Sequence, residues 1–183
     1  TVGFGHGIAV TPLHLATGYA VLANDGVAHP ATFLKVRPGE QLPGRRIFSE
    51  RAVHLVNGMM RLAVLDGTGR QADAEGYRVG GKTGTAEKRK DGGGYDHHRN
   101  ITTFAGIFPV DRPRYVVVTM VDDPQGASRM GGTVAAPVFR NVVNRIAPVL
   151  GVKPDLHLEP DVSEFDGLYT PRPENQRGAA SIH

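Results

Sequence analysis

Apolar residues recur at helical spacing in three stretches of the chain, and each stretch is bounded by stop or start signals. Thr11-Pro12 opens the first, since Thr can cap free backbone N–H groups and Pro is preorganised for the first helical position. Leu13, Ala16, Ala20 and Ala23 then form a stripe that Leu15, Tyr19 and Leu22 widen, until Asn24-Asp25-Gly26 ends it; this predicts a buried helix. Ser49 caps a second helix, with Val53, Val56, Met60, Ala63 and Val64 on one face and a stop at Asp66-Gly67. A third opens near Thr133 and carries Ala135, Val138, Phe139, Val142, Val143 and Ile146. Here Pro137 is expected in the first turn and Pro148 at the end. Between the first two helices, residues 27 to 48 predict only short extended pieces among Pro30, Pro38, Gly39, Pro43 and Gly44.

After Gly76 the period changes. Tyr77 to Ala86 is rich in Gly and Thr and predicts a strand that something must approach closely, at Gly80, Gly81 and Gly84. A polar stretch, Glu87 to Asn100 with Gly92-Gly93-Gly94, leads to two further strands, Ile101 to Phe108 and Arg114 to Asp122. The turn from Pro109 to Pro113 is too short for a parallel crossover, so the pairing is expected to be antiparallel. From Leu156 onward polar residues, Pro160, Pro171 and Pro173 show no periodicity, and a mobile tail is expected over 154–183. The order predicts an α/β (α+β) fold, an antiparallel three-strand meander flanked by helices, over residues 1–153.

Composition narrows the function classes. At 183 residues, 40% hydrophobic and 21% charged, the chain is neither disordered by composition nor membrane-spanning, and its longest apolar stretch, Tyr115 to Val121, is too short to cross a bilayer. The net charge of +3 is spread along the chain, with one tight basic run at Lys88-Arg89-Lys90, so no nucleic-acid partner is expected. With no cysteine, disulfide scaffolds and Cys-ligated metals are excluded. His97-His98 has no second ligand pair at metal spacing, and Asp122-Asp123 before Pro124 suits a turn, so no metal or other cofactor is expected. Gly3-Phe4-Gly5-His6-Gly7 is followed by Ile8 where a dinucleotide fingerprint needs its third glycine, and is read as a loop. The first residues lack a leader and an initiator Met, so the chain is expected to begin inside a larger unit.

Gly76 to Thr83 matches the phosphate-binding pattern GxxxxGK[ST] letter for letter, and Val116-Val117-Val118 leading to Asp122 imitates its metal-binding strand. A nucleotide-hydrolysing reading requires a strand before Gly76 and a helix starting at Lys82. Arg70-Gln71-Ala72-Asp73-Ala74-Glu75 is no buried strand, and Gly84 and Gly92-Gly93-Gly94 leave no room for the helix. The competing reading centres on Lys82-Thr83-Gly84-Thr85. On an edge strand Lys82 supplies positive charge, the Thr83 and Thr85 hydroxyls can hold a carboxylate, and Gly84 lets a peptide backbone lie alongside. An extended peptide could add as a strand, with the Thr85 N–H polarising a carbonyl. Read alone, the same four residues also suit an ordinary polar edge on which Lys blunts aggregation.

The wider pattern resembles the penicilloyl-serine transferases, in which Lys82-Thr83-Gly84-Thr85-Ala86 is similar to the third signature motif. Phe4-Gly5-His6-Gly7, Val10 to Ala16 and Asn24-Asp25-Gly26 look like the stretch between the second and third motifs of class B penicillin-binding proteins. Asp123-Pro124-Gln125 and Gly131 to Phe139 resemble that family's closing strand and helix. The likeness covers Thr1 to Lys153, and its Thr83 form and Asp-Pro-Gln segment are closer to the septal, FtsI-type enzyme. It implies a transpeptidase-like, serine β-lactamase-like fold, and a D,D-transpeptidase that cross-links peptidoglycan stem peptides and is acylated by β-lactams. Lys82 would polarise the site, Thr83 and Thr85 would bind the terminal carboxylate, Gly84 would admit the peptide, and the Thr85 N–H would be half of the oxyanion hole. The implied partners are stem peptide, β-lactam, an upstream half of the same domain and membrane proteins of the division complex. The implied place is the periplasmic face of the inner membrane, with an anchor upstream.

The chain departs from the family at one decisive point. Its serines are Ser49, Ser128, Ser163 and Ser181, and none stands in Ser-x-x-Lys or Ser-x-Asn. The segment therefore supplies the substrate-binding strand without the nucleophile and is expected to be inactive alone. An elongation-type enzyme, a β-lactam sensor and a β-lactamase share the motif and stay open on the residues.

Overall fold

The computed structural model describes residues 7–40, 42–90 and 92–156. Helix α1 (Pro12–Leu22) begins as its sequence requires: the His14 N–H donates to Thr11 Oγ1 at 3.2 Å, with Pro12 in the first turn. Two-residue strands β1 (Val27–Ala28) and β2 (Arg45–Arg46) pair antiparallel. Helix α2 (Glu50–Leu65) starts with the Ala52 N–H donating to Ser49 Oγ at 3.3 Å, and a 3₁₀ turn follows at Arg70–Ala72. Strands β3 (Gly80–Arg89), β4 (Tyr95–Phe108) and β5 (Tyr115–Asp122) form an antiparallel sheet in that order, and α3 (Gly131–Val149) closes the fold.

The meander and the three helices agree with the pattern of the sequence, but several boundaries differ. The strand expected over Tyr77 to Ala86 begins at Gly80 and runs on to Arg89, and most of the polar stretch from Glu87 to Asn100 is strand too. Its residues form a hairpin arm that projects beyond β5, which pairs with β4 only from Phe108 to Ile101. Polar contacts replace the apolar alternation that would have announced strands: Lys88 Nζ pairs with Asp122 of β5 at 2.7 Å, and across the arm His97 Nδ1 lies 2.7 Å from Glu87 Oε1. Pro137 lies inside α3 beyond its first turn, because the helix starts at Gly131. Pro148 does not end it either. Gly151, at φ +70°, is the stop: the Val152 N–H donates to Ala147 O at 2.9 Å and the Gly151 N–H to Pro148 O at 3.1 Å.

The core lies on both faces of β4. Phe104 and Phe108 pack with Val64, Val79, Phe139, Val143 and Ala147 on the α3 side, with the Phe104 and Phe139 rings 4.7 Å apart and tilted by 58°. On the other face Met60, Ile107 and Val110 meet Tyr19, Leu22 and Ala23 of α1 and the segment just after it. Each fully buried Phe, Ile or Val here contributes roughly 1.5–3 kcal/mol. Polar groups tie these layers together. Asn57 Nδ2 donates to Leu22 O at 3.1 Å, and Thr119 Oγ1 donates to Ala135 O at 3.0 Å.

Helix α1 is not the buried helix its stripe predicts. Only Val21 is buried, and Leu13 is 50% exposed. The helix is apolar nearly all round, a composition suited to contact on every side, while among the described residues it packs on the sheet, β1 and α2 and leaves Leu13 and Ala20 exposed.

Tyr19 yields a test of this second cluster. Burial pushes its phenol above the ordinary value of 10.0. The folded protein therefore holds the proton more tightly than the unfolded chain, and this stability is complete below pH 10 and lost as pH rises through the folded value. Denaturant unfolding from pH 8 to 11 is expected to show a decline that Tyr19→Phe reduces; equal declines in both proteins would place Tyr19 outside the core.

Candidate active-site wall

Strand β3 is an edge strand, and its residues divide into an anchored start and an open continuation. Arg61 of α2 secures the start, with Nη1 donating to Asp73 Oδ1 at 2.8 Å and to Val79 O at 3.0 Å. Gly80 and Gly81 are buried. A Cβ on Gly80 would stand 2.7 Å from the Val110 side chain, and one on Gly81 2.6 Å from the Phe104 ring and Ala105 O. The close approach expected at these two glycines is therefore made by the protein's own core and not by a ligand. At Gly84 a Cβ would run into the Thr103 hydroxyl of the paired strand, a local reason for glycine there beside any role toward a peptide.

From Lys82 onward the strand meets solvent. Lys82 is exposed, and its Nζ donates to Thr83 Oγ1 at 3.0 Å and to Thr83 O at 3.2 Å. Among the described residues it has no carboxylate partner, so its charge faces outward over a hydroxyl. Thr83 Oγ1 also lies 3.0 Å from Thr68 Oγ1. Thr85 Oγ1 accepts the Gly131 N–H, the first of α3, at 3.0 Å. A hydroxyl has one donor and two acceptor positions, so Thr85, which accepts from Gly131, retains an O–H that can be offered to an anion, while Thr83 accepts from Lys82 and shares a hydrogen bond with Thr68 in which either hydroxyl can donate.

Beside these hydroxyls lies a cleft of about 240 Å³, whose walls include Thr68, Arg70, Thr83, Thr85, Met130 and Gly131. Lys82, Thr83, Gly84 and Thr85 are thus brought together with Thr68 and the start of α3. Thr68 and Gly131 carry no site signal in the sequence: Thr68 follows the Asp66-Gly67 helix stop, and Gly131 precedes a helix expected to open near Thr133. A Cβ on Gly131 would meet Gly84 O at 2.5 Å, so α3 reaches Thr85 only without one.

The competing motifs resolve differently. Lys82 is the third residue of β3, not the start of a helix, so Gly76 to Thr83 cannot cradle phosphates in the manner of a nucleotide-binding loop. His97 pairs with Glu87 across the arm, and among the described residues no group of three His, Asp or Glu could hold a metal. Asp122 and Asp123 take Lys88 and Arg99 as partners at the end of β5. Ser49 caps α2 and the Ser128 hydroxyl meets that of Thr133; Ser163 and Ser181 lie outside the described residues.

An exposed ammonium and two hydroxyls lie on a sheet edge beside a helix start in an α/β domain. Residues 1–144 match the penicillin binding protein transpeptidase domain, and the chain belongs to that family. It is 41% identical over 166 residues to the probable peptidoglycan D,D-transpeptidase FtsI of Caulobacter vibrioides, covering 84% of this chain and 28% of that protein. It is 38% identical over 166 residues to FtsI of Escherichia coli, covering 90% and 28%, and 38% identical over 164 residues to stage V sporulation protein D of Bacillus subtilis, covering 84% and 25%. The chain thus spans about a quarter of these relatives. Among solved structures, the transpeptidase domain of Burkholderia pseudomallei penicillin-binding protein 3 is similar at a TM-score of 0.78 and 38% identity, over 85% of this chain and 47% of that one. Penicillin-binding protein 3 of Mycobacterium tuberculosis, complexed with aztreonam, is similar at a TM-score of 0.70 and 30% identity, over 85% and 38%.

Gly131→Ala tests the packing that brings α3 to the strand. The added methyl must displace backbone, and a loss of about 1–3 kcal/mol is expected in denaturant unfolding. An unchanged midpoint would show that this contact is not tight.

Proposed function

We propose that this chain is the C-terminal, substrate-binding part of a septal peptidoglycan D,D-transpeptidase. The observation that carries the reading is the exposed Lys82 ammonium, with no carboxylate partner among the described residues, beside the Thr83 and Thr85 hydroxyls on an open strand edge. Such a surface suits the terminal carboxylate of an extended stem peptide, which would lie along β3 as an added strand. Penicillins carry an equivalent carboxylate, and the M. tuberculosis relative is also solved complexed with ampicillin.

In the complete enzyme a serine from the upstream half would attack the carbonyl carbon of the penultimate D-alanine. The C–N bond to the terminal D-alanine breaks, and that residue leaves as the free amine with the proton that the serine gave up. An acceptor amine then attacks the acyl-serine ester, forms the new amide and returns a proton to the serine. Lys82 lends positive charge, Thr83 and Thr85 hold the carboxylate, Gly84 admits the peptide, and the Thr85 N–H stabilises the oxyanion. The upstream half would also cover the bare side of α1. Division-complex membrane proteins and a periplasmic setting with an upstream anchor belong to the same reading, which the names of the FtsI relatives support. No cofactor is needed for this chemistry. Among the described residues no helix is long and apolar enough to cross a membrane.

Two measurements test the reading. In the complete protein, Lys82→Ala or Thr85→Ala is expected to lower the second-order rate of acylation by penicillin by a factor on the order of 10²; an unchanged rate refutes the assigned roles. Fluorescent penicillin should not label the 183-residue chain covalently, because no serine stands in Ser-x-x-Lys. Stoichiometric labelling of it would place the nucleophile here.

A further inference from the structure

The loop from Asp123 to Met130 joins β5 to α3, and both of its ends are tied to the β3–β4 hairpin. At its start Arg99 Nε donates to Asp123 Oδ2 at 2.9 Å, and the Asp123 N–H donates to Asn100 O at 2.8 Å. Lys88 holds the neighbouring Asp122. Just past its end the Gly131 N–H donates to Thr85 Oγ1. The arm reaches the loop because β4 carries three residues, His97, His98 and Arg99, with no partners in the register between Lys88–Asp96 and Glu87–Asn100.

Asp123 is built for this contact. It holds a left-handed conformation at φ +51°, uncommon for a residue with a side chain, and its carboxylate is only 24% exposed. Among the described residues its buried Oδ1 has no hydrogen-bond partner, and Arg99 is the cation paired with this carboxylate. The same hydrogen bond holds the Arg99 guanidinium above its ordinary value, with Asp96 and Asp122 adding to the field.

We propose that Arg99 and Asp123 are positioning residues for the Thr85 hydroxyl, acting through the loop and the Gly131 N–H; the proposal rests on the carboxylate-binding reading of Thr85 given above. With one lone pair of Thr85 taken by Gly131, its O–H is left to donate outward to a carboxylate. Core packing of Phe139 on Phe104 seats the body of α3, and the loop sets where its first residue starts; if the start of the loop is released, the Gly131 N–H no longer keeps its place against Thr85 Oγ1, and the Thr85 rotor is free to turn a lone pair toward the substrate. Recognition of the carboxylate then suffers, while the positions of Lys82 and of any nucleophile outside this loop are untouched.

The test compares benzylpenicillin with its methyl ester, whose carboxylate is blocked, as acylating agents of the complete transpeptidase polypeptide. Arg99→Ala and Asp123→Ala are each expected to slow acylation by benzylpenicillin about threefold to tenfold and to leave the methyl ester unaffected. In a Thr85→Val background Arg99→Ala should add nothing further. Equal losses with both probes, or a full additional loss in that background, would mean general structural support and overturn the proposal. Should Arg99→Ala not fold, Arg99→Gln is held to the same discrimination between probes. If Lys82→Ala and Thr85→Val leave benzylpenicillin acylation at the wild-type rate, the carboxylate reading has failed and the proposal falls with it. If those two respond while Arg99→Ala and Asp123→Ala do not, only the positioning role is lost.

Discussion

The burial of β4 on both faces organises everything else in this molecule. Phe104 and Phe108 leave one side of the strand and Ala105 and Ile107 the other, and all four are buried, so apolar layers are needed above and below. Helix α3 supplies one with Phe139, Val143 and Ala147; Met60 of α2 and residues of α1 supply the other. Sheet hydrogen bonding then places β3 and β5 on either side of β4, with registers such as Lys82 opposite Ala105 and Val118 opposite the same residue. Lys82 emerges at an edge because its strand is held through its start: Gly80 and Gly81 sit under Val110 and Phe104, and Arg61 grips Val79.

The site depends on a second close approach, which follows from the first. Once Phe139 packs on Phe104, the start of α3 lies over Gly84, and only the absence of side chains at Gly84 and Gly131 lets backbone meet backbone there. That contact delivers a helix N-terminal N–H to Thr85. Packing energy in the core is thereby converted into the orientation of a hydroxyl at the surface. Helix α1 shows the opposite situation. Its apolar exterior exceeds what the described residues cover.

Local signals were legible along the chain wherever the interaction is between near neighbours. Thr11-Pro12 and Ser49 announce helix starts because capping partners lie three residues away, and β5 shows its apolar run because Tyr115 to Val118 border the core. Lys82 to Thr85 stood out as a candidate site by residue chemistry and by likeness to a family motif. The arm beyond Glu87 was not legible. Its strands are held by ion pairs such as Lys88 with Asp122, 34 positions apart, and polar residues held that way leave no period to detect.

By itself the sequence determined the order and type of the elements, the antiparallel meander, the family and the four residues of the Lys-Thr-Gly-Thr strand, since each rests on short-range geometry or on an unbroken motif. Only the tertiary structure decided that Gly80 and Gly81 serve the core, that Gly151 and not Pro148 stops α3, that α1 is largely bare, and that Thr68 and Gly131 stand at the site. Those depend on which surfaces meet in space. The separation of 46 positions between Thr85 and Gly131 is closed by the packing of α3 on β4, and no local pattern encodes it.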